Sequence, residues 1–381
     1  MISGVNVKNR FRRIIYVIYE TAMTLIAIFI PKYFLVKKAK TIIKDKLYPW
    51  ADGIEFYLSG RSALADVFNA ISERKIGDTV LIPDYVCNIL HRTITTEGLA
   101  VETYHVDENL LLSLDEIEDK VKNSNISAIV LASIFGSQNN GTDILSRIRQ
   151  INEDVIIILD ECQNVILDNH IELIDKCLVV NSFNHKNIQG LMGGCVCYTD
   201  NFLNLNSSKA TFRTIVRSEV LMVAIFMIRN LRNLMQAIGL LIENRMKYSD
   251  PKLEYSFCER FPYRVDIEPI TKISLCSAIR EMLHIQNTED KRKRNYLFFT
   301  HMVVREDIGE LITTERADVS PYIPIRLSDE KAFGKLPLKG PYAFENDQNS
   351  TAHPNIFSIM NDCHITFDEF EEKHREKKDC H

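Results

Sequence analysis

The sequence predicts a three-layer α/β/α protein with a mostly parallel central sheet and a smaller α+β domain at the carboxyl end. Two observations lead to this prediction. Short continuous apolar runs alternate with amphipathic helical patterns from residue 79 to residue 200, which is typical of a parallel sheet covered by helices. Beyond residue 200 the alternation breaks, and long helical patterns precede a strand pattern at 322–329.

The expected elements follow one another along the chain. We expect a loop followed by a helix over residues 56–72. The patterns after it predict strands at 79–83, 99–106, 126–136, 155–159, 177–180 and 195–200. They predict helices at 88–97, 113–123, 143–151, 216–245 (one long helix or two), 270–303 and 365–378. Within the helix at 270–303 we expect the charged residues 288–294 to be exposed. We expect a loop at 339–354.

The chain length and a linker pattern predict the domain organisation. With 381 residues, 46% of them hydrophobic, the chain can form two domains with a sizeable core. We expect an N-terminal helical arm over residues 1–50, a large domain over 51–252 and a small domain over 253–381. The segment at 250–264 contains two prolines and is the expected linker.

Charge and cysteine content exclude several classes of protein. A net charge of −5 without a basic stripe argues against nucleic acid as a partner. Nine cysteines without regular spacing argue against a disulfide framework and for a reducing, cytoplasmic compartment. Cys195 and Cys197 are expected on one face of a strand, but further ligands at a suitable spacing are lacking, so we expect no metal site.

The N-terminal arm has a distinctive pattern. An apolar run of about 17 residues at 14–30 follows three arginines and precedes several lysines, and its length is at the lower limit for crossing a bilayer. It lacks the cleavage site of a secretory signal. Two interpretations stay open: a helix packed on the protein or on a subunit partner, or a helix lying in the anionic inner face of a membrane.

Polar residues follow the ends of two expected strands. Asp160 and Gln163 come after the apolar run 155–159, and Asn181 and Ser182 end the run that begins at Cys177. Polar groups just beyond the carboxyl ends of such strands lie where open α/β sheets bind ligands. We therefore expect these side chains to share one crevice.

Two further features belong to the same crevice. The segment Ser59–Ser62 opens a helix, and a helix amino end with free backbone N–H groups attracts an anion. A lysine, Lys186, lies between the second strand and the pair Gly193–Gly194. A carboxylate, an amide, an amine and an anion site together are what pyridoxal 5'-phosphate (PLP) requires, because the amine can form a Schiff base with its aldehyde.

Six motifs carry a resemblance to a known family. SGRSAL (59–64), VLIPDYVCN (80–88), VLASIFG (130–136), ILDECQN (158–164), NSFNHKN (181–187) and GG (193–194) occur in the order found in PLP enzymes of fold type I. The set is most similar to that of the DegT/StrS sugar aminotransferases. The resemblance covers residues 50–200 well and residues 255–381 weakly.

The resemblance implies roles for individual residues. Lys186 would form the Schiff base and then move a proton between the substrate and the cofactor, and Asp160 would pair with the pyridine nitrogen. Gln163 would bond the phenolic oxygen. The phosphate would be bound by the residues at the helix start and at the strand end, namely Gly60, Arg61, Ser62 and Ser182.

Several positions depart from the family pattern. The family places its serine five residues before the lysine, whereas Ser182 is four before Lys186 and Asn181 is five before it. Cys87 occupies the place of the aromatic stacking residue, so that either Tyr85 substitutes for it or stacking is weaker. The neighbours of the lysine, Asn184 and His185, are candidates for contacting the substrate. The family's N-x-R element is not recognisable near Tyr263.

The resemblance implies an aminotransferase that works as a homodimer. Its amino donor would be glutamate or glutamine, and its acceptor a keto sugar attached to a nucleotide, for surface polysaccharide or secondary-metabolite synthesis. Two alternatives stay open. One is a sugar dehydratase or lyase that uses PLP or its amine form, and the other is a non-catalytic, membrane-associated protein of the same fold.

Overall fold

A computed structural model describes the chain over residues 14–15, 18–19, 21–22, 26, 29–123, 125–137, 141–163, 175–183, 188, 192–205, 212–237, 267–305, 307, 309–312, 314, 316–327, 338–339 and 356–360. The helices are α1 (Lys32–Lys46), α2 (Gly60–Arg74), α3 (Asn88–Thr96), α4 (Leu114–Val121), α5 (Thr142–Ile151), α6 (Phe212–Ala237), α7 (Lys272–Leu283) and α8 (Ile285–Arg305). The strands are β1 (Gly53–Tyr57), β2 (Thr79–Pro83), β3 (Ala100–Tyr104), β4 (Ile126–Ala132), β5 (Ile156–Asp160), β6 (Cys177–Ser182), β7 (Gly194–Tyr198), β8 (Gly309–Leu311), β9 (Tyr322–Leu327), β10 (Leu338–Lys339) and β11 (Ile356–Met360).

Seven strands form the central sheet in the order β1-β7-β6-β5-β4-β2-β3. Neighbours from β6 to β3 pair in parallel, whereas β7 runs antiparallel to both β1 and β6. The predicted mostly parallel sheet is therefore confirmed. Its central strands are buried along their whole length, as expected for apolar strands with helices on both faces.

Packing of α2 on the central sheet fixes the position of its amino end. This helix packs against β1, β6 and β7. The hydroxyl of Tyr57 on β1 donates a 2.7 Å hydrogen bond to Asp66 in the middle of α2, and both residues are fully buried. Burial, and then the charge of Asp66, raise the pKa of Tyr57 well above its usual range. This bond fixes the helix on the sheet.

Four antiparallel strands form a second, smaller sheet in the order β10-β11-β9-β8. Phe299 and Val303 of α8 pack on Ile323 and Ile325 of β9 and form a core of their own. The predicted α+β part at the carboxyl end is thereby confirmed. Between β8 and β9 the chain returns to the main sheet, where it contacts the short 3₁₀ turn Ile134–Gly136 that follows β4.

Two predictions about the elements need correction. The strand β1 was not expected: residues 53–55 lay before the predicted loop-and-helix segment at 56–72, and Phe56 and Tyr57 were expected in its loop. The helical segment at 270–303 consists of two helices that meet at His284. The predicted helix at 365–378 and the linker at 250–264 lie outside the described residues.

The charged segment 288–294 is not uniformly exposed, contrary to the prediction. Glu289 and Arg292 are buried. Arg292 donates a hydrogen bond of 3.1 Å to the carbonyl of Val319, and Arg316 lies 3.6 Å from Glu289. Burial is tolerated here because each buried charge meets an oppositely charged or hydrogen-bonding group.

The described part of the N-terminal arm is helical. Leu35, Ala39, Ile42 and Ile43 of α1 belong to the same buried core as the central sheet, and α1 packs against α7. Residues described between 14 and 29 are helical and largely exposed. Among the described residues, no helix combines the length and apolar character needed to cross a bilayer.

Candidate functional site

The amino end of α2 is a serine-capped helix start. Ser59 caps the helix from an extended backbone conformation, and its hydroxyl oxygen accepts a 3.0 Å hydrogen bond from the backbone N–H of Ser62. The two hydroxyl groups lie 3.2 Å apart. Serine is among the best residues at this position, and the first N–H groups of a 15-residue helix carry the positive end of its dipole.

Glycines bring this helix end directly against two strands. A Cβ atom on Gly60 would lie 2.9 Å from the Cβ and 3.2 Å from the Oγ of Ser182. A Cβ atom on Gly194 would lie 2.6 Å from the backbone nitrogen of Gly60. Any larger residue at either position would separate the helix from the ends of β6 and β7. The hydroxyl of Ser182 therefore lies at the amino end of α2, as the sequence predicts.

Both glycines of the pair Gly193–Gly194 have a structural reason. Gly194 is required by the close contact with Gly60, and Gly193 by its backbone conformation. Gly193 has a φ of +137°, and a Cβ atom there would lie 2.8 Å from the ring of Phe183. Its carbonyl accepts a 2.8 Å hydrogen bond from the N–H of Phe183. Glycine is favoured at both positions, for conformational freedom at one and for close approach at the other.

Asp160 lies at the end of β5, on the strand next to β6. It pairs in register with Val180, so that its side chain is on the same face of the sheet as those of Val180 and Ser182. From the strand spacing and rise, Asp160 and Ser182 are about 8 Å apart between Cα atoms. The Oδ1 atom accepts a 3.1 Å bond from the N–H of Cys162, which orients the carboxylate.

Gln163 is oriented by the loop after β4. Its Oε1 atom accepts a 2.8 Å hydrogen bond from the backbone N–H of Phe135. Phe135 has left-handed backbone angles, with φ of 50° and ψ of 30°, a costly conformation for a residue with a side chain. Since only the amide oxygen can accept this bond, the amide nitrogen lies on the other side of the group.

Residues of the smaller sheet's connection hold that loop in place. The carbonyl of Phe135 accepts a 2.9 Å bond from the hydroxyl of Thr314, and the carbonyl of Gly136 accepts a 3.1 Å bond from the N–H of Arg316. Gly136 has a φ of +85°, and a Cβ atom there would lie 2.7 Å from the carbonyl oxygen of Arg316. The orientation of Gln163 thus depends on contacts from a distant part of the chain.

Tyr85, Cys87 and Arg61, which the sequence predicts to contact the cofactor, differ in their exposure. Tyr85 has no exposed surface, so its ring offers no open face to a ligand in this conformation. Cys87 is exposed and lies just before the first residue of α3. Arg61, the second residue of α2, is half-buried. Cys87 and Arg61 are therefore the accessible members of this group.

Asn181 is not brought together with Ser182. Consecutive residues of a strand point to opposite faces, and the amide of Asn181 donates a short hydrogen bond to the hydroxyl of Tyr48 on the other face of the sheet. Both residues are buried. Of the two candidates at the strand end, Ser182 is the one that lies at the amino end of α2.

A buried polar cluster on this opposite face was missed by the sequence analysis. Glu161 is fully buried and accepts a 3.0 Å bond from the hydroxyl of Ser133. Burial raises the pKa of Tyr48 well above its usual range, and the nearby Cys197 and Glu161 act in the same direction. Alternation along the segment after β5 is the signal that could have placed Glu161 opposite Asp160.

The cysteine pair of β7 lies on the same face as that cluster. The Sγ atoms of Cys195 and Cys197 are 3.8 Å apart, and both residues are buried. This confirms that the two thiols share one face of the strand. Among the described residues no group of three His, Cys, Asp or Glu side chains could hold a metal ion.

A second missed pair lies at the edge of the sheet. Asp84 follows β2, and its carboxylate accepts a 3.1 Å bond from the N–H of Val106 and lies 2.9 Å from Nδ1 of His105. The imidazole is 42% exposed, and the carboxylate is largely buried. This pair ties the carboxyl ends of β2 and β3 together.

The predicted lysine lies outside the described residues. Lys186 and its neighbours Asn184 and His185 belong to residues 184–187, and their roles stay predictions. The chain enters this segment at Phe183 and leaves it before Gly193, and the N–H of Phe183 is bonded to the carbonyl of Gly193. Of the described residues next to this bond, Ser182 and Gly194 both lie against Gly60 at the amino end of α2.

Comparison with known proteins gives matches at the level of structure. No protein-family model matches the sequence, and no curated protein matches it significantly. Escherichia coli GDP-4-keto-6-deoxy-D-mannose-3-dehydratase with bound hydrated PLP matches with a TM-score of 0.60 and 14% identity, over 93% of this chain and 95% of the dehydratase. Helicobacter pylori PseC, an aminotransferase involved in pseudoaminic acid biosynthesis, matches with a TM-score of 0.61 and 10% identity, over 93% of both chains.

A third match supports the same fold. The sugar aminotransferase CalS13 from Micromonospora echinospora matches with a TM-score of 0.58 and 13% identity, over 92% of this chain and 93% of that protein. At such low identities the matches establish the architecture. This chain has the three-layer fold of type I PLP-dependent enzymes, as the sequence predicts.

Proposed function

We propose that this chain is a PLP-dependent enzyme that acts on sugars, and specifically an aminotransferase. One observation carries the proposal. Gly60 and Gly194 bring the amino end of α2 against Ser182, while Asp160 lies on the same face of the neighbouring strand. An anion site and a carboxylate are thereby held at a fixed separation at the carboxyl edge of the sheet, where α/β folds bind cofactors.

The described residues fit a phosphorylated pyridine cofactor. A Cβ atom on Gly60 would clash with Ser182, so the glycine lets the first N–H groups of α2 and the Ser182 hydroxyl lie together as one set of donors. Donors of this kind bind a phosphate group. The carboxylate of Asp160 suits a ring nitrogen that must stay protonated.

Each residue of the candidate site would have a separate role in binding the cofactor. The bound cofactor supplies an electron sink for breaking a C–H bond next to nitrogen. Ser62, Ser182 and the first N–H groups of α2 hold the phosphate, and Asp160 keeps the proton on the ring nitrogen. The amide of Gln163 donates toward the phenolic oxygen, since its own oxygen is occupied by Phe135.

Lys186 is proposed as the residue that carries the cofactor and moves the proton. Its position in the sequence, between Ser182 and the pair Gly193–Gly194 and within the motif NSFNHKN, supports this role. The substrates are proposed to be glutamate or glutamine as amino donor and a nucleotide-linked keto sugar as acceptor. We further propose a homodimer, as the resemblance implies.

Attachment of the cofactor tests the role of Lys186. Purified protein is mixed with PLP and reduced with borohydride, which should join the cofactor permanently to the peptide containing Lys186, as read by mass spectrometry. Lys186→Ala should lose this adduct. The matched control, Lys122→Ala, changes an exposed lysine whose ion pair with Asp119 is on the surface, and it should keep the adduct. A wild-type protein without an adduct at saturating PLP contradicts the proposal and favours a non-catalytic protein of this fold.

A sugar dehydratase is the second candidate function. Dehydratases occur among the matching structures beside aminotransferases, and His185 lies beside the lysine. The two activities differ in product. With a panel of amino donors, an aminotransferase converts a donor to its keto acid in amounts equal to the amino sugar formed, whereas a dehydratase releases water from the sugar and gains no nitrogen.

A further inference from the structure

The outer face of α6 is strongly apolar and lies away from the body of the protein. We call it the α6 stripe, and it consists of the following exposed residues: Val216, Val220, Leu221, Met227, Ile228 and Leu231. At 3.6 residues per turn these positions fall within roughly 140° of the helix circumference, that is, on one side of the helix. Val220 and Ile228 are 64% and 68% exposed, which leaves a large contiguous apolar surface uncovered in the described structure.

The opposite side of α6 is committed to the protein. Met222 and Phe226 pack with Leu58 and Ile273 in a small buried cluster. Ser218 on the same side bonds the carboxylate of Glu268 at 3.1 Å. The inner face of α6 is therefore buried against the protein, and the α6 stripe is the surface that a partner can reach.

The N-terminal arm lies next to α6. The amide of Asn230 on α6 donates a 3.0 Å hydrogen bond to the hydroxyl of Thr21, so the arm lies against α6. Phe29 is 87% exposed, and Tyr33 and Phe34 at the start of α1 are also exposed. The arm that contacts α6 therefore adds exposed aromatic side chains of its own.

The charge around this surface is positive. Arg213 and Arg217 are exposed at the beginning of α6, and Lys37 and Lys38 are exposed on α1. Among the described exposed residues of these two helices, Asp45 at the far end of α1 is the acidic one. Glu219, the acid within α6, is partly buried and accepts from the N–H of Lys272.

The sequence shows the same asymmetry on a larger scale. Residues 1–50 contain ten Lys and Arg against two Asp and Glu, whereas the rest of the chain contains 36 against 49. The arm therefore carries a net charge opposite in sign to that of the remaining protein. Such an asymmetry points to an anionic partner for the basic part.

We propose that the α6 stripe and the adjoining arm form a docking surface for an anionic lipid bilayer. Exposed aliphatic and aromatic residues flanked by arginine and lysine are what an interfacial helix presents to lipid, with the apolar side chains in the acyl boundary and the cations at the head groups. A second copy of the chain is disfavoured as occupant because two such surfaces would place like charges opposite each other. The proposal does not depend on the PLP chemistry.

Flotation of the full-length protein with vesicles tests this proposal. Wild type should float with vesicles of phosphatidylglycerol and phosphatidylcholine at low salt, and much less with phosphatidylcholine alone or at high salt. Val220→Glu with Ile228→Glu removes two apolar contacts from the α6 stripe and should lower the bound fraction by about tenfold or more. Leu297→Glu with Val304→Glu changes two comparably exposed residues of α8 and should leave flotation unchanged.

Charge and assembly are tested by two further measurements. Arg213→Glu with Arg217→Glu should abolish the preference for anionic vesicles. Light scattering of wild type and of the α6 stripe variant identifies the alternative occupant, since a variant of half the wild-type mass together with no wild-type flotation would overturn the proposal in favour of a second copy. An equal loss of flotation in the α8 control would overturn it as well.

Hydrogen exchange on the wild-type protein provides a test that needs no variant. Addition of anionic vesicles should slow amide exchange in residues 216–231 relative to exchange in α8 (Ile285–Arg305). Unchanged exchange in α6 at vesicle saturation would contradict the proposal. PLP attachment is measured in parallel, so that failure of lipid binding is distinguished from failure of the proposed enzyme chemistry.

Discussion

Gln163 serves two purposes at once, and substitutions can separate them. Its amide oxygen accepts the N–H of Phe135 at 2.8 Å, and its amide nitrogen is the donor proposed for the cofactor. Phe135 is buried, so its N–H must find an acceptor within the protein. A side chain that keeps an oxygen but loses the N–H₂ group retains the first purpose and loses the second.

We predict that Gln163→Leu and Gln163→Glu differ in stability but not in cofactor binding. Leucine leaves the N–H of Phe135 unsatisfied and should lower the free energy of unfolding by about 1–3 kcal/mol. Glutamate retains an acceptor and should cost less than leucine. Both should weaken PLP binding, because neither donates. Urea denaturation of the cofactor-free protein and titration with PLP measure the two effects, and equal stability of the two variants would contradict the assignment.

At this scale the sequence predicted the residues that end strands and missed those that depend on distant contacts. Asp160 and Ser182 were expected to share one crevice because strand ends are visible in the local pattern, and they lie on the same face of the sheet. The burial of Glu161 depends on Ser133, and that of Tyr85 on the surrounding core. Neither is visible in local hydrophobicity, since an acid is ordinarily expected at the surface.

The loop after β4 connects the main sheet to the smaller one. Phe135 and Gly136 both have left-handed backbone angles, and the chain between β8 and β9 bonds the carbonyl of each. These bonds compensate for the conformational cost at Phe135. The loop is therefore held by tertiary contacts rather than by its own preferences.

We predict that Thr314→Val loosens this connection. Loss of its 2.9 Å bond to the carbonyl of Phe135 should cost about 1 kcal/mol of stability and should speed amide exchange at residues 134–136. Thr300→Val is the matched control, because its hydroxyl bonds the carbonyl of Tyr296 within the same helix. Exchange at residues 134–136 should not change in the control, and a similar acceleration in both variants would argue against the role of Thr314.

Helices and strands could be predicted where a single hydrophobic pattern, either a continuous apolar run or a helical spacing, covered the whole element. The buried strands β2, β4 and β5 were located from continuous apolar runs, and α5 from its helical spacing. The division between α7 and α8 at His284 was missed because neither glycine nor proline marks it. The burial of Arg292 was missed because it depends on Val319, 27 residues away, and a charged stretch by itself predicts a solvated surface.

At the scale of the whole molecule, α6 relates the candidate site to the proposed lipid surface. Its inner face contacts Leu58, which directly precedes the cap of α2, and Met192 packs on the same cluster. With a helix diameter of about 10 Å, docking of the α6 stripe would hold the site close to the bilayer. Docking would then place the candidate site beside the proposed sugar acceptor wherever that acceptor is made or used at a membrane.

Buried tyrosines make the stability of the whole fold sensitive to alkaline pH. Burial raises the pKa of Tyr48, Tyr57 and Tyr104 well above the usual value of 10.0. In the unfolded chain these phenols lose their protons near pH 10, while in the folded protein they keep them. Folding thus binds protons in this range, so stability is fully present below pH 10 and declines as the pH rises further.

We predict that the free energy of unfolding falls steeply above pH 10. Three retained protons correspond to a slope of roughly 4 kcal/mol per pH unit, and urea denaturation at a series of pH values measures it. Tyr104→Phe removes one of these protons together with a 2.9 Å bond to the carbonyl of Val130. It should lower stability at pH 8 by about 1 kcal/mol and reduce the alkaline slope by about a third. Tyr33→Phe, at a 69% exposed position, should leave both unchanged, and a slope independent of Tyr104 would show that this phenol loses its proton in the folded state.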